Sequence, residues 1–291
     1  MKKIFWIASY PRSGNTWMRA ILSSLFFTET GKFNLNLLKN IVNFDNPDKY
    51  EFIKNLNLND FNRLNEVQII SKYWVEAQRR AKINGDFAFF KTHSGNVTMN
   101  KHKYTVPENV LGLIYLIRDP RDVLVSYSKY SNKSLDDTIR SMTSKICMTW
   151  SGLPKEKPYP ILLSSWDIHY QTWKLLEVPK LTIKYESLLS ETEKTLWSVV
   201  DFFAKNYGFK FKNIKKKINN ILETTTFDNL KKTERVEGFD EAPYIFSKKQ
   251  TKEFFFRKGK NNQWKSILSN KQLDQIEKSF FSTMKELGYI K

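Results

Sequence analysis

Residues 3–27 read KIFWIASYPRSGNTWMRAILSSLFF, and this stretch decides the fold. Residues 3–9 are apolar without alternation, which predicts a strand that is buried on both faces of a sheet. Ser13–Phe27 has helical apolar periodicity and predicts a largely buried helix. A tight glycine turn between a strand and a helix presents backbone N–H groups and the helix N-terminus to an anion. The stretch therefore predicts an anion site, with a plain strand–helix connection as the alternative.

The side chains of this turn favour the anion site. Arg12 supplies a positive charge, and Ser13, Asn15 and Thr16 supply hydrogen-bond donors around Gly14. The turn lacks both the first glycine and the Gly-Lys-Ser/Thr ending of the standard phosphate-binding loop. An ordinary nucleoside triphosphatase is therefore disfavoured.

A second strand–helix unit carries a similar arrangement. Leu111–Ile117 is an apolar run of strand length, and Arg118 follows at its carboxyl end, where ligands gather in open α/β sheets. Asp119 and the proline after it predict a helix start. Ser126 lies about two turns into that helix and can face the same ligand. A surface salt bridge from Arg118 to Asp119 or Asp122 is the alternative.

Further along the chain, apolar runs of strand length alternate with helical periodicity. The predicted elements are a helix near 61–82, a strand over Phe87–Lys91, a helix over Ser164–Leu176, a strand over Leu181–Lys184, a helix over Glu186–Phe203 and a helix near 270–286. Residues 31–60 and 131–163 have no regular pattern. The alternation predicts an α/β fold with a central, mainly parallel sheet flanked by helices, in a single domain over residues 1–291.

Composition narrows the function classes without choosing among them. The 291 residues are 41% hydrophobic and 15% aromatic, which allows a substantial core and disfavours disorder. The net charge of +18 fits nucleic acid, an acidic membrane surface, a phosphorylated small molecule or simply a lysine-rich solvated surface. The one cysteine, Cys147, excludes an internal disulfide and fits a reducing cytosol. No Cys/His cluster indicates a metal, and no run is long enough to span a membrane.

Tyr10–Trp17 resembles the 5′-phosphosulfate loop of sulfotransferases that use 3′-phosphoadenosine 5′-phosphosulfate (PAPS). That loop usually reads Tyr-Pro-Lys-Ser-Gly-Thr-Thr-Trp, so Arg12 stands in place of a lysine and Asn15 in place of a threonine. The resemblance implies a P-loop-NTPase-like sulfotransferase fold, PAPS as donor, adenosine 3′,5′-bisphosphate (PAP) as product, and no metal. It also implies that Arg12 stabilises the oxygen between sulfur and phosphorus, although arginine is a planar fork and not a point charge.

Two further segments resemble phosphate-binding motifs of the same family. Leu113–Tyr127 resembles the 3′-phosphate motif, a strand that ends in arginine with a serine eight residues later, here Arg118 and Ser126. Phe254–Gly259 resembles the Arg-Lys-Gly loop of the family. That resemblance implies donor contacts from Phe256, Arg257, Lys258 and Gly259.

Adenine contacts come from the resemblance as well. Ile183–Leu188 is similar to the Tyr-Glu-Asp-Leu segment of the family, and Thr225–Phe227 is similar to its Thr-Ser-Phe segment. The residues that this places near adenine are Tyr185, Thr225, Phe227 and, from the loop side, Trp17. For the aromatic residues, core packing is the alternative.

The sequence Lys91-Thr92-His93 follows a predicted strand and resembles the Lys-Thr-His of the family, whose histidine is the general base. Histidine can take a proton from an acceptor near neutral pH. By resemblance, Lys91 helps to neutralise the transferring group, and the acceptor attacks sulfur in line while PAP leaves. His102 and His169 have no such context and receive no role.

Two other classes remain as alternatives. A P-loop-like small-molecule kinase predicts dependence on ATP and magnesium, and a basic nucleic-acid-binding protein predicts steep salt dependence. The sulfotransferase hypothesis predicts a cytoplasmic enzyme with no nucleic-acid or membrane partner, and it leaves the oligomeric state open. Its acceptor is a small molecule that offers a hydroxyl or an amine or carbamoyl nitrogen, such as an alkaloid or phenol among bacterial secondary metabolites. The predicted acceptor walls are 31–60, Lys133–Trp166 and Phe239–Phe246.

Overall fold

A parallel sheet forms the centre of the computed structural model, which describes residues 3–53, 63–83, 85–151, 159–239, 254–256 and 259–291. The strands within these ranges are β1 (Lys3–Ser9), β2 (Val42–Asn43), β3 (Phe87–Thr92), β4 (Thr98–Met99), β5 (His102–Lys103), β6 (Val110–Ile117), β7 (Met148–Ser151), β8 (Tyr159–Leu162) and β9 (Lys180–Lys184). In the described ranges the main sheet has the order β2-β3-β1-β6-β9, and every neighbouring pair is parallel. β4–β5 and β7–β8 form small antiparallel pairs.

Helices cover both faces of the sheet. They are α1 (Asn15–Phe27), α2 (Arg63–Ser71), α3 (Trp74–Arg80), α4 (Pro120–Ser131), α5 (Leu135–Thr143), α6 (Trp166–Lys174), α7 (Tyr185–Ser190), α8 (Thr192–Tyr207), α9 (Ile214–Thr224), α10 (Phe227–Glu237) and α11 (Asn270–Glu286). Trp6 and Ala8 of β1 enter one hydrophobic core, whereas Phe5 and Ile7 enter the other. Alternate side chains of a strand point to opposite faces, so a continuous apolar strand requires this two-sided burial. The predicted fold class is confirmed.

The strand order brings the segments that carry the predicted site residues to one edge of the sheet. β1 lies between β3 and β6, and β9 pairs with the other side of β6. Because all four strands run in the same direction, their carboxyl ends share the edge where open α/β sheets bind ligands. The turn after β1, the residues after β3, Arg118 after β6 and Tyr185 after β9 therefore start at neighbouring positions.

Two predicted helices are each divided in the structure. The helix predicted near 61–82 is α2 followed by α3, and the backbone tightens between them, where Tyr73 N–H donates to the Ile70 carbonyl at 2.8 Å. The helix predicted over 186–203 is α7 followed by α8, because Glu191 leaves helical geometry at φ −133° and ψ 47°. Apolar periodicity continues across both breaks, so it does not reveal them.

The unpatterned regions contain short elements. In 31–53 there are 3₁₀ turns at Leu35–Asn40 and Pro47–Tyr50 on either side of β2, and 54–60 lies outside the described residues. The 131–163 region holds α5 and the β7–β8 pair, and 152–158 likewise lies outside. The helix predicted over Ser164–Leu176 is α6, and the one predicted near 270–286 is α11.

Truncation of a leucine in the central sheet tests this burial. Leu116 in β6 is 0% exposed, whereas Leu175 is 76% exposed. We expect Leu116→Ala to lower the free energy of unfolding by about 2–5 kcal/mol through lost burial and a residual cavity. The same truncation at Leu175 should change it by less than about 0.5 kcal/mol. Urea titration of both variants checks this, and equal effects would contradict the sheet assignment.

Candidate active site

The turn between β1 and α1 has a left-handed backbone. Arg12 has φ 69°, and Gly14, the residue before α1, has φ 95°. A Cβ at Gly14 would lie 2.8 Å from Tyr185 Cδ2, closer than real Cβ atoms come to a ring. Glycine is required here for both its positive φ and its lack of a side chain. The turn can therefore close tightly against α7 and expose the N-terminus of α1.

Asn15 and Thr16 occupy the first turn of α1, and both are buried. The Asn15 side-chain amide donates to the Ile7 carbonyl at 3.2 Å and to Ser9 Oγ at 3.1 Å. This amide thus braces the turn against the end of β1. The sequence predicts Asn15 as a donor to a ligand, but in the structure its side-chain N–H groups point into the protein.

The arginines of the two strand–helix units are joined. Arg12 Nε donates to Ser126 Oγ at 3.1 Å, and Arg118 donates to the Arg12 carbonyl at 3.2 Å. The Arg12 guanidinium also lies 4.9 Å from the Tyr130 ring centroid and 4.7 Å from that of Phe255. The surface salt bridge considered for Arg118 is not its role, because Arg118 is only 5% exposed. Arg12, Arg118 and Ser126 form one cationic cluster.

Several buried donors in this cluster are unsatisfied by the protein. Ser13 Oγ, Trp17 Nε1 and Arg118 Nε have no hydrogen-bond partner within the described part of the chain. Buried donors in native proteins nearly always have a partner. Three such donors around one turn and one strand end are therefore suited to a ligand with several acceptor oxygens.

The residues predicted at the adenine lie in two aromatic groups. Trp17 packs edge-on against Tyr185 with ring centroids 6.2 Å apart, and Arg118 stacks 4.2 Å over the Tyr185 ring. Phe227 packs edge-on against Phe256 at 5.9 Å. A Cβ at Gly259 would lie 2.5 Å from Phe227 Cγ, so the chain passes close over that ring. Thr225 lies two residues before Phe227, is 1% exposed and donates its hydroxyl to the Ile221 carbonyl.

The segment that contains the predicted Arg-Lys-Gly loop is held on both flanks by carboxylates. Glu234 of α10 accepts from the N–H groups of Phe255 and Phe256 at 2.5 and 2.8 Å. Asp122 of α4 accepts at 2.7, 2.9 and 3.3 Å from three successive N–H groups, those of residues 262–264. Arg257 and Lys258 themselves lie outside the described residues. Sequence reasoning gave neither carboxylate this role, because each contact joins residues more than twenty positions apart.

His93 follows β3, and its ring contacts the end of β1. Its Nδ1 lies 2.8 Å from the Ser9 carbonyl oxygen. A carbonyl oxygen only accepts, so Nδ1 carries the proton and Nε2 carries the lone pair. Burial, assisted by the positive charge of Lys91, lowers the pKa of His93 well below its ordinary value. The imidazole is therefore neutral at neutral pH, as a general base requires.

His169, for which the sequence predicts no role, contacts the backbone of His93. His169 Nε2 lies 3.0 Å from the His93 carbonyl and Nδ1 lies 2.7 Å from the Tyr115 hydroxyl. The first contact requires a proton on Nε2, so Nδ1 accepts from Tyr115. Burial lowers the pKa of His169 to about 4. His169 is a fully buried, neutral link between the β6 strand and the backbone of the candidate base.

The sequence profile described as "Sulfotransferase domain" matches residues 2–288. The chain belongs to the sulfotransferase family. Among its relatives, "Cytosolic sulfotransferase 10" of Arabidopsis thaliana is 23% identical, over 97% of this chain and 78% of that one. "Flavonol 4′-sulfotransferase" of Flaveria chlorifolia is 21% identical, over 98% and 80%, and "Amine sulfotransferase" of Oryctolagus cuniculus is 20% identical, over 96% and 80%.

Solved structures agree with the sulfotransferase fold. Retinol dehydratase in a complex with retinol and PAP superposes with a TM-score of 0.62 at 19% identity, covering 98% of this chain and 82% of that one. Mouse sulfotransferase SULT7A1 complexed with PAP gives a TM-score of 0.59 at 18% identity, covering 97% and 84%. In the described part of this sulfotransferase, no helix is long and apolar enough to cross a membrane, and no cluster of His, Cys, Asp or Glu could hold a metal ion.

The depressed pKa of His169 predicts a loss of stability in acid. The unfolded state binds this proton near pH 6.5 and the folded state near pH 4, so its contribution is complete above pH 6.5 and falls as the pH drops toward 4. We expect this to cost the sulfotransferase about 2 kcal/mol at pH 5 relative to pH 7.5. His169→Gln should flatten this part of the dependence. Urea unfolding of both proteins at the two pH values checks this, and parallel losses would contradict it.

Proposed function

We propose that this sulfotransferase transfers the sulfuryl group of PAPS to a hydroxyl, or to an amine or carbamoyl nitrogen, of a small-molecule acceptor. The observation that carries the proposal is the joined cluster of Arg12, Arg118 and Ser126, which adjoins His93 at the same edge of the sheet. Two cations and unsatisfied donors suit a ligand with two separate anionic groups. Both related structures are complexes with PAP, the product that remains of such a donor.

Within this proposal the donor spans the two strand–helix units. The turn at residues 12–17 and the N-terminus of α1 bind the 5′-phosphosulfate, since unpaired N–H groups and the helix dipole favour an anion there. Arg118 and Ser126 bind the 3′-phosphate together with Arg257, Lys258 and Gly259. The adenine contacts are Trp17, Tyr185, Thr225, Phe227 and Phe256.

The transfer step needs a base on one side of the sulfur and positive charge on the other. The Nε2 lone pair of His93 takes the acceptor's proton as the acceptor oxygen or nitrogen bonds to sulfur. The bond from sulfur to the bridging oxygen breaks, and PAP leaves with the electron pair. Arg12 and Lys91 stabilise the charge that develops on that oxygen and on the transferring group. The remaining contribution is positioning of the reactants.

Two of the predicted acceptor walls are held together by aromatic packing. The two regions predicted as acceptor walls meet where Tyr50 stacks on Tyr159 with ring centroids 5.3 Å apart and their hydroxyls 2.8 Å apart. Residues 240–246 of the third predicted wall lie outside the described residues. Both rings are buried in the core, so this pair holds the two regions together and does not line an open site. The relatives include a flavonol sulfotransferase and an amine sulfotransferase. We therefore propose a phenol or an aromatic amine, such as an alkaloid-type secondary metabolite, as the acceptor of a cytoplasmic enzyme.

Calorimetry with PAP and a transfer assay test the proposal together. Wild type should bind PAP and should transfer label from ³⁵S-PAPS to at least one member of a panel of phenols and aromatic amines. His93→Ala should retain PAP binding and lose transfer by about 100-fold or more, because it removes the base but no donor contact.

The two claims fail separately. Absence of PAP binding by the wild type, or tighter binding of ATP than of PAP, would refute the donor and favour the kinase alternative. Normal transfer by His93→Ala would refute only the assignment of the base. If the protein bound DNA in the absence of PAP and this affinity fell steeply with added salt, the nucleic-acid alternative would be favoured.

The Asp122 contacts predict a second effect on the donor. Asp122→Asn removes the charge that holds residues 262–264, and we expect PAP affinity to fall by about tenfold, since a hydrogen bond to a charged group is worth ~1.5–3 kcal/mol. Affinity for adenosine 5′-phosphosulfate, which lacks the 3′-phosphate, should fall less. Asp274→Asn is the matched control, because Asp274 is an exposed carboxylate of α11 paired with Lys278. Equal PAP affinities for both variants would contradict this role.

A further inference from the structure

Asp45 is a buried carboxylate for which the sequence predicts no role. It lies two residues after β2, the edge strand beside β3, and is 1% exposed. Two bonds between Asn43 and Asp45 hold its backbone, and the N–H of the intervening Phe44 donates to the Lys91 carbonyl at 2.8 Å. The backbone beside Asp45 is therefore hydrogen-bonded to β3, independently of the contacts that the Asp45 side chain makes.

The Asp45 side chain contacts Thr92, the last residue of β3, and the two residues that follow it. It accepts from the His93 backbone N–H at 2.8 Å, from Thr92 Oγ1 at 3.0 Å and from Ser94 Oγ at 3.0 Å. The Tyr104 hydroxyl donates to it at 3.1 Å. One carboxylate thus binds three consecutive residues with His93 at their centre.

The charge balance explains how a carboxylate is tolerated here. Burial raises the pKa of Asp45, while its hydrogen bonds and the positive charge of Lys91 act in the opposite direction. The same lysine lowers the pKa of His93. Asp45 therefore lies near the Lys91 charge and holds the backbone of His93.

With Asp45, His93 is fixed at three points. Asp45 holds its backbone N–H, His169 holds its carbonyl, and the Ser9 carbonyl holds its Nδ1–H. The backbone position and the ring tautomer are then both determined, and Nε2 can point in only a narrow range of directions. Catalytic groups must be held this closely, since a displacement of about 1 Å can cost ~100-fold in rate.

We infer that Asp45 is the positioning residue for Thr92–Ser94, holding His93 in place for proton removal. This rests on the proposed role of His93 as the base. Asp45 touches neither donor nor acceptor in this role, and it acts through the backbone of His93 and the side chains of Thr92 and Ser94.

Asp45→Asn tests the inference with little change of volume. We expect kcat to fall by about 100-fold with the acceptor that the panel identifies. The Kd for PAP should stay within about threefold, because no phosphate contact is lost. In a His93→Ala background the same exchange should produce no further loss, since residues that act as one unit are not additive.

Two further variants keep the test independent of folding. Thr92→Val removes one donor to Asp45 in an isosteric way, and we expect about a tenfold fall in kcat, again suppressed in the His93→Ala background. Lys217→Met is the control for a lost buried charge: Lys217 is 8% exposed and donates to the Leu25 carbonyl at 2.8 Å, on the other core. It should lower the melting temperature and leave kcat unchanged.

A measurement on the PAP complex needs no acceptor. The chain has three histidines, so ¹⁵N shifts of the His93 ring can be assigned by comparison with His93→Ala. Wild type should show the Nδ1–H tautomer, and Asp45→Asn should show a mixture of tautomers. An unchanged tautomer together with unchanged kcat, or an equal loss in the His93→Ala background, would overturn the inference. Failure of the wild type to bind PAP would instead refute the proposed function.

Discussion

The site depends on Arg118, a buried cation that follows strand β6. Its guanidinium donates to the Arg12 carbonyl and the Lys260 carbonyl and stacks on Tyr185. These contacts join the turn after β1, the helix after β9 and the C-terminal segment. A buried guanidinium must have its charge and its donors compensated. Each of the three segments satisfies part of this requirement, while Nε has no partner in the described part of the chain, so the charge at one strand end determines how the rest of the site is assembled.

Carboxylates have an unexpected part in a protein of net charge +18. Asp45, Asp122 and Glu234 are buried next to the site, where repulsion from an anionic ligand would be expected. Each of them accepts backbone N–H groups, which orients a neighbouring segment and reduces the cost of burying the charge. In the proposed site, Arg12, Arg118 and Lys91 contact the donor, and the acids hold the backbone of neighbouring segments.

The prediction of the fold from sequence succeeded where the signal is local. Strands β1, β3 and β6 are largely apolar runs, and α1 and α4 begin at a glycine turn and at an Asp-Pro cap. Predictions were wrong where a break interrupts a helix without changing its periodicity, as at Tyr73 and Glu191. The sequence did not indicate the contacts of Asp45 and His169 with His93, because these residues are 48 and 76 positions away from it.

The sequence by itself determined the α/β class and the glycine turn between β1 and α1, because strand length, helical periodicity and the need for glycine at positive φ are properties of adjacent residues. It also indicated His93 as a base through its motif. Only the tertiary structure decided the protonation of His93, since the Ser9 carbonyl assigns the proton to Nδ1, and burial with Lys91 lowers its pKa. Tautomer and proton affinity are set by groups that reach the ring only when parallel strands lie side by side.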